Sequence, residues 1–298
     1  MDWLQRMNGA INYIEENITR EIKLRNIAEK AGSSTYNFQR IFSFITDVPL
    51  SEYIRRRKFT LAAFELQNSD IKVIDLALKY GYNSPEAFTR AFQKLHGVTP
   101  TMARKKGVAL KAYPKISFQI SIKGDVEMNY RVEKKGALSV FGVEEVFTTE
   151  NNENLREIPD FWQREIQKGT PQRMLEASGV EWGCSSTGVK PVNAVMNYRD
   201  MGGIKFPYMI CAFTPEGGVS DEFVTAEIPA LTWAIFRTRD HSEEETSKVI
   251  QDLWKRIYTE WFPTADYEQV KGPEFEMYGV TEERKEYCEV WIPVKKKQ

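Results

Sequence analysis

Gln39 and Arg40 are adjacent in a segment whose apolar residues recur at helical spacing. If Phe38, Ile41 and Phe42 face inward, the polar side chains lie on the outer face of one helix. Amide and guanidinium groups there match the donors and acceptors that adenine and guanine display in the major groove of DNA. The alternative is an ordinary solvated helix face. The residues predicted to face a DNA groove are Thr35, Tyr36, Gln39, Arg40 and Ser43.

The pattern around this segment occurs twice in the first hundred residues. Ala28-xxx-Gly32 precedes Phe38-x-Arg40-x-Phe42, and Ala77-xxx-Gly81 precedes Phe88-x-Arg90-x-Phe92. A small residue allows close helix contact, and the glycine suits the turn before a second helix. The spacing therefore predicts two helix-turn-helix units, each with its own reading helix.

The second reading helix is predicted to contribute less to base recognition. Ser84 is its expected N-cap, Pro85 suits its first position, and Glu86 faces repulsion from phosphate. This helix therefore offers fewer donors for base readout. The residues predicted to lie at the DNA are Ser84, Glu86, Thr89 and Arg90.

A long helix over about residues 51–67 is predicted between the two units. At 1.5 Å per residue it spans about 25 Å, and reading helices in successive major grooves lie about 34 Å apart. One chain could therefore cover two adjacent half-sites. The helix carries the run Arg55-Arg56-Arg57-Lys58, in which Arg56 is predicted to contact phosphate. The alternative is that these four consecutive cations form an ordinary solvated helix face.

The two parts of the chain carry opposite charge. Residues 1–106 contain 17 Lys and Arg against 11 Asp and Glu, and residues 107–298 contain 24 against 31. A basic block suits phosphate contacts, whereas DNA would repel an acidic one. We therefore expect an all-α DNA-binding domain over residues 1–106, a linker over 107–125 and a second domain over 126–298. A strand-like alternation begins at Ile116.

The second domain is predicted to be α+β, with two strand-helix-strand-strand halves in one antiparallel sheet and helices on one face. The first half comprises a strand-like run at Met128–Thr148, a helix at Asn154–Gln167, and strands at Val180–Thr187 and Pro207–Thr214. The second comprises a run at Phe223–Arg237, a helix at Glu243–Trp261, and strands at Glu274–Val280 and Tyr287–Val294.

The last two predicted strands place carboxylates beside aromatic residues. Alternation leaves Glu289 and Trp291 on one face, and it puts Glu276 and Tyr278 opposite Phe275. A cleft built from such residues would favour a lipophilic cation. The alternative is a set of exposed edge residues and ordinary core aromatics. The candidate cleft residues are Glu276, Tyr278, Glu289, Trp291, Trp182, Tyr208 and Trp233.

Other functional classes are disfavoured by the sequence. No stretch reaches the roughly 20 apolar residues of a membrane span, and the N-terminal residues do not follow a signal-peptide pattern. A cytoplasmic protein with no membrane partner is expected. The three cysteines and two histidines lack zinc-binding spacing, so neither a metal nor another cofactor is predicted.

Residues of about 8–106 resemble the DNA-binding domain of the AraC/XylS family, in its Rob-like branch. The resemblance implies base contacts by Tyr36, Gln39 and Arg40, and a base or phosphate contact by Arg90. The segments that carry it are Leu24-x-x-Ile27-Ala28-x-x-Ala31-Gly32, Phe38-Gln39-Arg40-Ile41-Phe42, Tyr53-Ile54-Arg55-x-Arg57, Ala77-xxx-Gly81-Tyr82-x-Ser84, Phe88-x-Arg90-x-Phe92 and Gly97-x-Thr99-Pro100.

Residues of about 126–296 resemble GyrI-like small-molecule-binding domains. The resemblance implies two related halves and a cleft in which a glutamate, either Glu276 or Glu289, meets amphipathic or cationic compounds. The segments that carry it are Gly142-Val143, Ile228-Pro229-Ala230, Gly272-Pro273-x-Phe275-Glu276-x-Tyr278 and Glu289-Val290-Trp291-Ile292-Pro293-Val294.

Together the two resemblances imply a transcription regulator that is not an enzyme. Its expected partners are double-stranded DNA, a small-molecule effector and RNA polymerase. The alternative is a hydrolase-type GyrI-like domain, fused to a DNA-binding module, that degrades its ligand. A glutamate and a tyrosine on one face are compatible with such general-base chemistry.

Overall fold

The computed structural model of the chain describes residues 3–119, 127–179 and 190–297. The chain divides into two compact units, Met1–Gln119 (unit 1) and Ile120–Gln298 (unit 2). In the described part of the chain, no helix is both long enough and apolar enough to cross a membrane.

Unit 1 has the predicted all-α architecture of two helix-turn-helix units joined by a long helix. The first unit is formed by α2 and α3, the joining helix is α4, and the second unit is formed by α5 and α6. The helices are α1 (Trp3–Glu16), α2 (Leu24–Ala31), α3 (Thr35–Thr46), α4 (Leu50–Asn68), α5 (Val73–Lys79), α6 (Pro85–His96) and α7 (Pro100–Ala103).

Local residue chemistry fixes the starts of both reading helices. Gly32 ends α2 in the left-handed conformation, with φ +64°, which glycine adopts without a Cβ penalty. The Ser34 hydroxyl then accepts a hydrogen bond from the Asn37 amide at 3.1 Å. Ser84 does the same for the Ala87 amide at 3.1 Å. The predicted N-cap of α6, Ser84, is therefore confirmed, and Ser34 is the N-cap of α3.

Residues 108–119, here called the strap, follow the last helix of unit 1 and pack against its helices. The Asn8 side chain exchanges two 2.9 Å hydrogen bonds with the backbone of Phe118. The Phe118 ring meets the rings of Trp3 and Phe42 edge-on, with centroids 6.5 and 6.4 Å away. The compact unit therefore extends beyond the predicted domain end at 106, and residues 116–119 are not in a strand. The remainder of the predicted linker, 120–126, lies outside the described residues.

Unit 2 contains one antiparallel sheet with the strand order β1-β6-β9-β8-β3-β4-β2-β5, and β7 pairs with β9. The strands are β1 (Asn129–Lys135), β2 (Leu138–Thr148), β3 (Asn193–Met196), β4 (Lys205–Phe213), β5 (Val224–Ile228), β6 (Leu231–Arg237), β7 (Tyr267–Gln269), β8 (Glu274–Val280) and β9 (Glu286–Lys296). The longer helices are α8 (Asn154–Gln167), α9 (Thr170–Ser178) and α10 (Thr246–Arg256), which continues into a π-helical turn, Ile257–Trp261.

Unit 2 has the predicted antiparallel sheet with helices, and β3 is a strand that was not predicted. The two halves exchange their first strands. Each long strand-like run is split into two strands, β1 and β2 in the first half and β5 and β6 in the second. β1 pairs with β6, whereas β5 pairs with β2. The first strand of each half therefore extends the sheet of the other half. The predicted strand Val180–Thr187 lies outside the described residues.

Candidate DNA interface and carboxylate cage

The polar stripe of α3 packs against aromatic rings. The Arg40 guanidinium lies 5.8 Å from the ring centroid of Tyr36, one turn earlier, and 5.4 Å from that of Phe44, one turn later. Its Nη1 donates to the Tyr36 hydroxyl at 3.2 Å. Such cation–π contacts hold a guanidinium in place along a helix.

The prediction of an exposed outer face on α3 is wrong for its central residues. Tyr36, Gln39 and Arg40 are 3, 7 and 6% exposed, and Thr35 and Ser43 are half-buried. The stripe contains Tyr36 and Phe44 among its polar residues, which gives α3 a second face able to pack. The predicted inner residues Phe38, Ile41 and Phe42 are buried, as expected.

Gln39 carries an unsatisfied donor. Among the residues that the structure describes, its buried Nε2 has no hydrogen-bond partner. A buried amide hydrogen without an acceptor costs about 1–3 kcal/mol.

The outer face of α6 is open to solvent, as predicted. Glu86 and Arg90 are exposed, and Thr89 is half-buried. Ser84 is half-buried, and its hydroxyl caps the helix.

The four cations of α4, Arg55-Arg56-Arg57-Lys58, all form hydrogen bonds within unit 1. Arg56 Nε donates to Glu52 at 2.6 Å, and its guanidinium lies 5.0 Å from the ring of Tyr113 in the strap. Burial alone would raise the pKa of Glu52, but hydrogen bonds from Arg55 and Arg56 lower it below its usual value. Arg57 forms a 2.8 Å ion pair with Glu15. Arg56 therefore lies at the junction of α4 and the strap.

A carboxylate on β8 is hydrogen-bonded to two aromatic side chains on the helix-covered face of the sheet, and two more aromatic side chains lie next to these. Glu276 Oε1 accepts from Trp254 Nε1 of α10 at 2.8 Å, and Oε2 accepts from the Tyr278 hydroxyl at 3.3 Å. Trp162 of α8 donates from Nε1 to the Tyr208 hydroxyl at 2.8 Å, and its ring meets Tyr278 edge-on at 5.6 Å. These five residues form the Glu276 cage.

The two phenols of the Glu276 cage are held in their neutral form. Burial raises the pKa of Tyr208 well above its usual value, and the negative charge of Glu276 raises it further. Burial likewise raises the pKa of Tyr278, and the negative charge of Glu276 raises it further. Both hydroxyls therefore act as neutral donors or acceptors at neutral pH.

The other predicted cleft residues lie on the opposite face of the sheet. In the β8–β9 register, Phe275 is opposite Trp291 and Met277 is opposite Glu289, whereas Glu276 is opposite Val290. Directly opposite residues share a face, so Glu289 and Trp291 point away from Glu276. Trp233 joins Phe275 and Trp291 in an apolar cluster on that face. The prediction of a single cleft is therefore wrong.

Glu289 belongs to an ion pair. Arg131 of β1 donates to both of its oxygens, at 2.6 and 3.0 Å, and Trp291 Nε1 donates at 2.9 Å. Only 6% of Glu289 is exposed. The last candidate, Trp182, lies outside the described residues.

Two family models match this chain. One, described as integron-associated effector binding protein, matches residues 131–294, more than half of the chain. The other, described as helix-turn-helix domain, matches residues 27–106. The transcriptional activator AarP of Providencia stuartii is 41% identical over 92 residues, which are 31% of this chain and 68% of AarP. The chain belongs to the AraC/XylS family of DNA-binding transcription regulators.

Two further relatives support this assignment. SoxS of Salmonella typhimurium is 34% identical to the regulator over 106 residues, which are 36% of this chain and 99% of SoxS. The transcriptional regulator Rob of Salmonella typhimurium is 32% identical over 105 residues, which are 35% of this chain and 36% of Rob. The predicted order, a DNA-binding region followed by an effector-binding domain, is confirmed. The hydrolase alternative gains no support from these proteins.

Solved structures similar to the regulator include two small proteins. An integron cassette protein from the mobile metagenome of Vibrio cholerae has 16% identity and a TM-score of 0.38, covering 56% of this chain and 95% of that protein. SAV2435, solved with bound tetraphenylphosphonium, has 18% identity and a TM-score of 0.42, covering 56% and 94%.

The Glu276 cage includes two residues that sequence reasoning missed. Trp162 and Trp254 lie in helices whose boundaries were predicted, but neither was assigned to the site. The available signal was the presence of a tryptophan beside an inward-facing Phe161 or Leu253 in each helix. Within the described ranges, no group of three or more His, Cys, Asp and Glu side chains could hold a metal ion.

Proposed function

We propose that the regulator senses an amphipathic, cationic small molecule bound in the Glu276 cage. The observation that carries this proposal is the convergence of one half-buried carboxylate and four aromatic side chains. The carboxylate attracts positive charge, and aromatic faces attract cations and bury apolar surface. A neutral compound of the same shape would gain only the apolar contribution.

Calorimetry with an aryl trimethylammonium ion and its neutral tert-butyl isostere tests this proposal. The ammonium compound should bind in the micromolar range, about −8 kcal/mol, and the isostere more weakly. Equal affinity for both would contradict a cation site.

We infer binding without turnover. Chromatography after incubation with the same ammonium compound should recover the compound unchanged. A product formed at a rate proportional to protein concentration would instead favour a hydrolase.

In unit 1, we propose that α3 makes the base contacts and α6 mainly touches phosphate. The side chains of Gln39 and Arg40 are both buried in this structure, so these contacts require that the outer face of α3 be uncovered. The unsatisfied amide donor of Gln39 can then be satisfied by a base acceptor, and Arg40 can then donate two hydrogen bonds to guanine. Thr35, Tyr36 and Ser43 flank them on α3. On α6, Arg90 is the cation suited to phosphate, and the other proposed neighbours of DNA are Ser84, Glu86 and Thr89.

Arg56 is a further proposed phosphate contact. To reach DNA, its guanidinium would exchange Glu52 for a phosphate oxygen. The regulator would then act in the cytoplasm at promoters, binding two adjacent half-sites as one chain and engaging RNA polymerase. Footprinting with a single bound chain should protect about two turns of DNA, and protection of one major groove alone would contradict this arrangement.

A further inference from the structure

Trp254 forms a hydrogen bond with the carboxylate proposed to bind the effector. Its side chain is buried, and its Nε1 lies 2.8 Å from Glu276 Oε1. A hydrogen bond to an ionised acceptor is roughly twice as strong as one between neutral groups. A cation that approaches Glu276 therefore meets an oxygen that already accepts a strong hydrogen bond.

The rest of the structure holds Trp254 in this position. Its ring stacks on Tyr258, with centroids 6.1 Å apart and planes at 13°, and Tyr258 stacks on Phe262 at 5.4 Å and 18°. Tyr258 lies in the π-helical turn, and such turns are frequent at functional sites. Its hydroxyl donates to Gln269 Oε1 at 3.3 Å.

Gln269 connects this stack back to β8. Its Nε2 donates to Glu274 Oε1 at 2.6 Å, and Glu274 precedes Glu276 by two residues on the same face of the strand. The ring of Tyr258 therefore contacts Trp254, and Phe262 and the Gln269 amide hold Tyr258 in place. The Trp254 N–H cannot leave Glu276 through a simple side-chain rotation without disturbing these contacts.

The second tryptophan of the Glu276 cage provides an internal contrast. Trp162 Nε1 donates to the hydroxyl of Tyr208, which is a neutral acceptor. Both indoles therefore supply an aromatic surface to the same cage, but of the two only Trp254 donates to the carboxylate, whose other described donor is the Tyr278 hydroxyl.

We propose that Trp254 is a specificity-determining residue that competes with the effector for Glu276. Its N–H stabilises the carboxylate of the empty cage, so a cation must offset that hydrogen bond before it gains affinity. Trp254 thus raises the ligand concentration needed for a response and excludes weak cations. This inference rests on the proposed cation site at Glu276.

The test compares Trp254→Phe with Trp162→Phe in the full-length regulator, using calorimetry with the aryl trimethylammonium ion and its tert-butyl isostere. Each variant loses one indole N–H and some aromatic surface. Trp254→Phe should bind the cation about ten-fold more tightly, whereas its affinity for the isostere should change little. Trp162→Phe should not bind the cation more tightly. Unchanged or weaker cation binding by Trp254→Phe, or equal tightening in both variants, would overturn the proposal.

A double-mutant cycle separates this idea from the cation site itself. In a Glu276→Gln background, Trp254→Phe should lose its selective effect on the cation. If Glu276→Gln weakens cation binding but Trp254→Phe has no effect in the native background, only the competition fails. If the native protein shows no preference for the cation, the cation site and the competition fail together.

A measurement on the native protein guards against a variant that does not fold. In a ¹⁵N NMR titration taken to saturation with each ligand, the indole resonance that is altered in Glu276→Gln should shift more with the cation than with the isostere, because only the cation displaces the N–H from the carboxylate. Equal shifts with both ligands, or none with the cation, would contradict competition at the carboxylate.

Discussion

The two reading helices of unit 1 carry the same pattern fifty residues apart, yet different side chains flank their central arginine. Arg40 is preceded one turn earlier by Tyr36 and followed one turn later by Phe44, and its guanidinium lies near both rings. The corresponding neighbours of Arg90 are Glu86 and Lys94. Arg40 is buried and Arg90 is exposed.

With the DNA contacts proposed above, this difference would give the two helices of one scaffold two modes of contact. A stacked guanidinium loses less conformational freedom on forming a bidentate hydrogen bond, which suits base recognition. A solvated arginine between a carboxylate and a lysine is suited to a non-specific phosphate contact, and salt should weaken it. The repeated pattern predicts the helix-turn-helix scaffold, whereas the residues that flank the central arginine favour either a base contact or a phosphate contact.

The largest expected effect concerns Phe118 of the strap, which packs beside α1 and α3, whereas Leu110 and Tyr113 of the strap pack against the core that contains α6. Phe118→Ala should destabilise unit 1 by about 3 kcal/mol, because it removes a buried ring that packs on Trp3 and Phe42. Hydrogen exchange should show lost protection in α1 and α3 before α6. Ser117→Ala, at an exposed neighbour, is the control and should change neither helix. An equal loss of hydrogen-exchange protection in α3 and α6 would contradict the expectation that Phe118 stabilises α3 more than α6.

The next effect concerns base discrimination by α3. Gln39→Ala and Arg40→Ala should each lose roughly 1–3 kcal/mol of discrimination at one base position, since each removes a group able to pair with a base edge. Selection on a randomised operator library measures this loss. Unchanged specificity in both variants would mean that α3 is not the base-reading helix.

A smaller and different effect is expected on α6. Arg90→Ala should weaken binding to all sequences alike and reduce the salt dependence by about one phosphate contact. Arg56→Ala should behave in the same way. Titrations at several salt concentrations with two unrelated operators measure both slope and specificity. A change confined to one operator would assign base readout to Arg90 and remove the distinction between the helices.

The smallest expected effect is a pH dependence of stability that is specific to the second helix-turn-helix of unit 1, formed by α5 and α6. His96 in α6 takes the position that Thr46 takes in α3. Its Nε2 lies 3.2 Å from the carbonyl oxygen of Phe59, and its buried Nδ1 has no partner within the described residues. Burial lowers the pKa of His96 from its ordinary value near 6.5.

Because the folded state disfavours the charged imidazole, the unfolded state binds more protons below pH about 6.5. The stability of the helix-turn-helix formed by α5 and α6 should therefore fall as the pH falls from about 6.5 towards the pKa of His96 in the folded state, which is lower than 6.5. Urea unfolding at about pH 7.5 and about pH 5.5 measures the difference, which should shrink in His96→Gln. An identical difference in that variant would show that another group titrates.

Much of unit 1 could be predicted because its signals are local. Ser34 and Ser84 are N-caps whose hydrogen bonds span three residues, and Gly32 ends a helix through its own φ angle. The burial of Gln39 and Arg40 could not be predicted from the outward polar pattern. Aromatic residues at Tyr36 and Phe44 give that stripe a packing capacity that a simple polar–apolar pattern does not express.

The site in unit 2 was only partly predictable for a related reason. Alternation along a strand shows which residues share a face, but the alignment of two strands depends on non-local pairing. Glu276 and Glu289 both look like cleft carboxylates in sequence, yet the β8–β9 register places them on opposite faces. The exchange of β1 and β5 between the halves likewise depends on long-range pairing.

The most direct test of the effector proposal uses these two glutamates as a matched pair. Calorimetry would compare Glu276→Gln and Glu289→Gln for the aryl trimethylammonium ion and its neutral isostere. Each substitution keeps the side-chain volume and removes one charge. Glu276→Gln should lose about 1–3 kcal/mol of affinity for the cation alone, and Glu289→Gln, which acts on the Arg131 pair of the opposite face, should leave the preference for the cation intact. An unchanged preference in Glu276→Gln, or an equal loss in Glu289→Gln, would contradict the assignment of the Glu276 cage as the effector site.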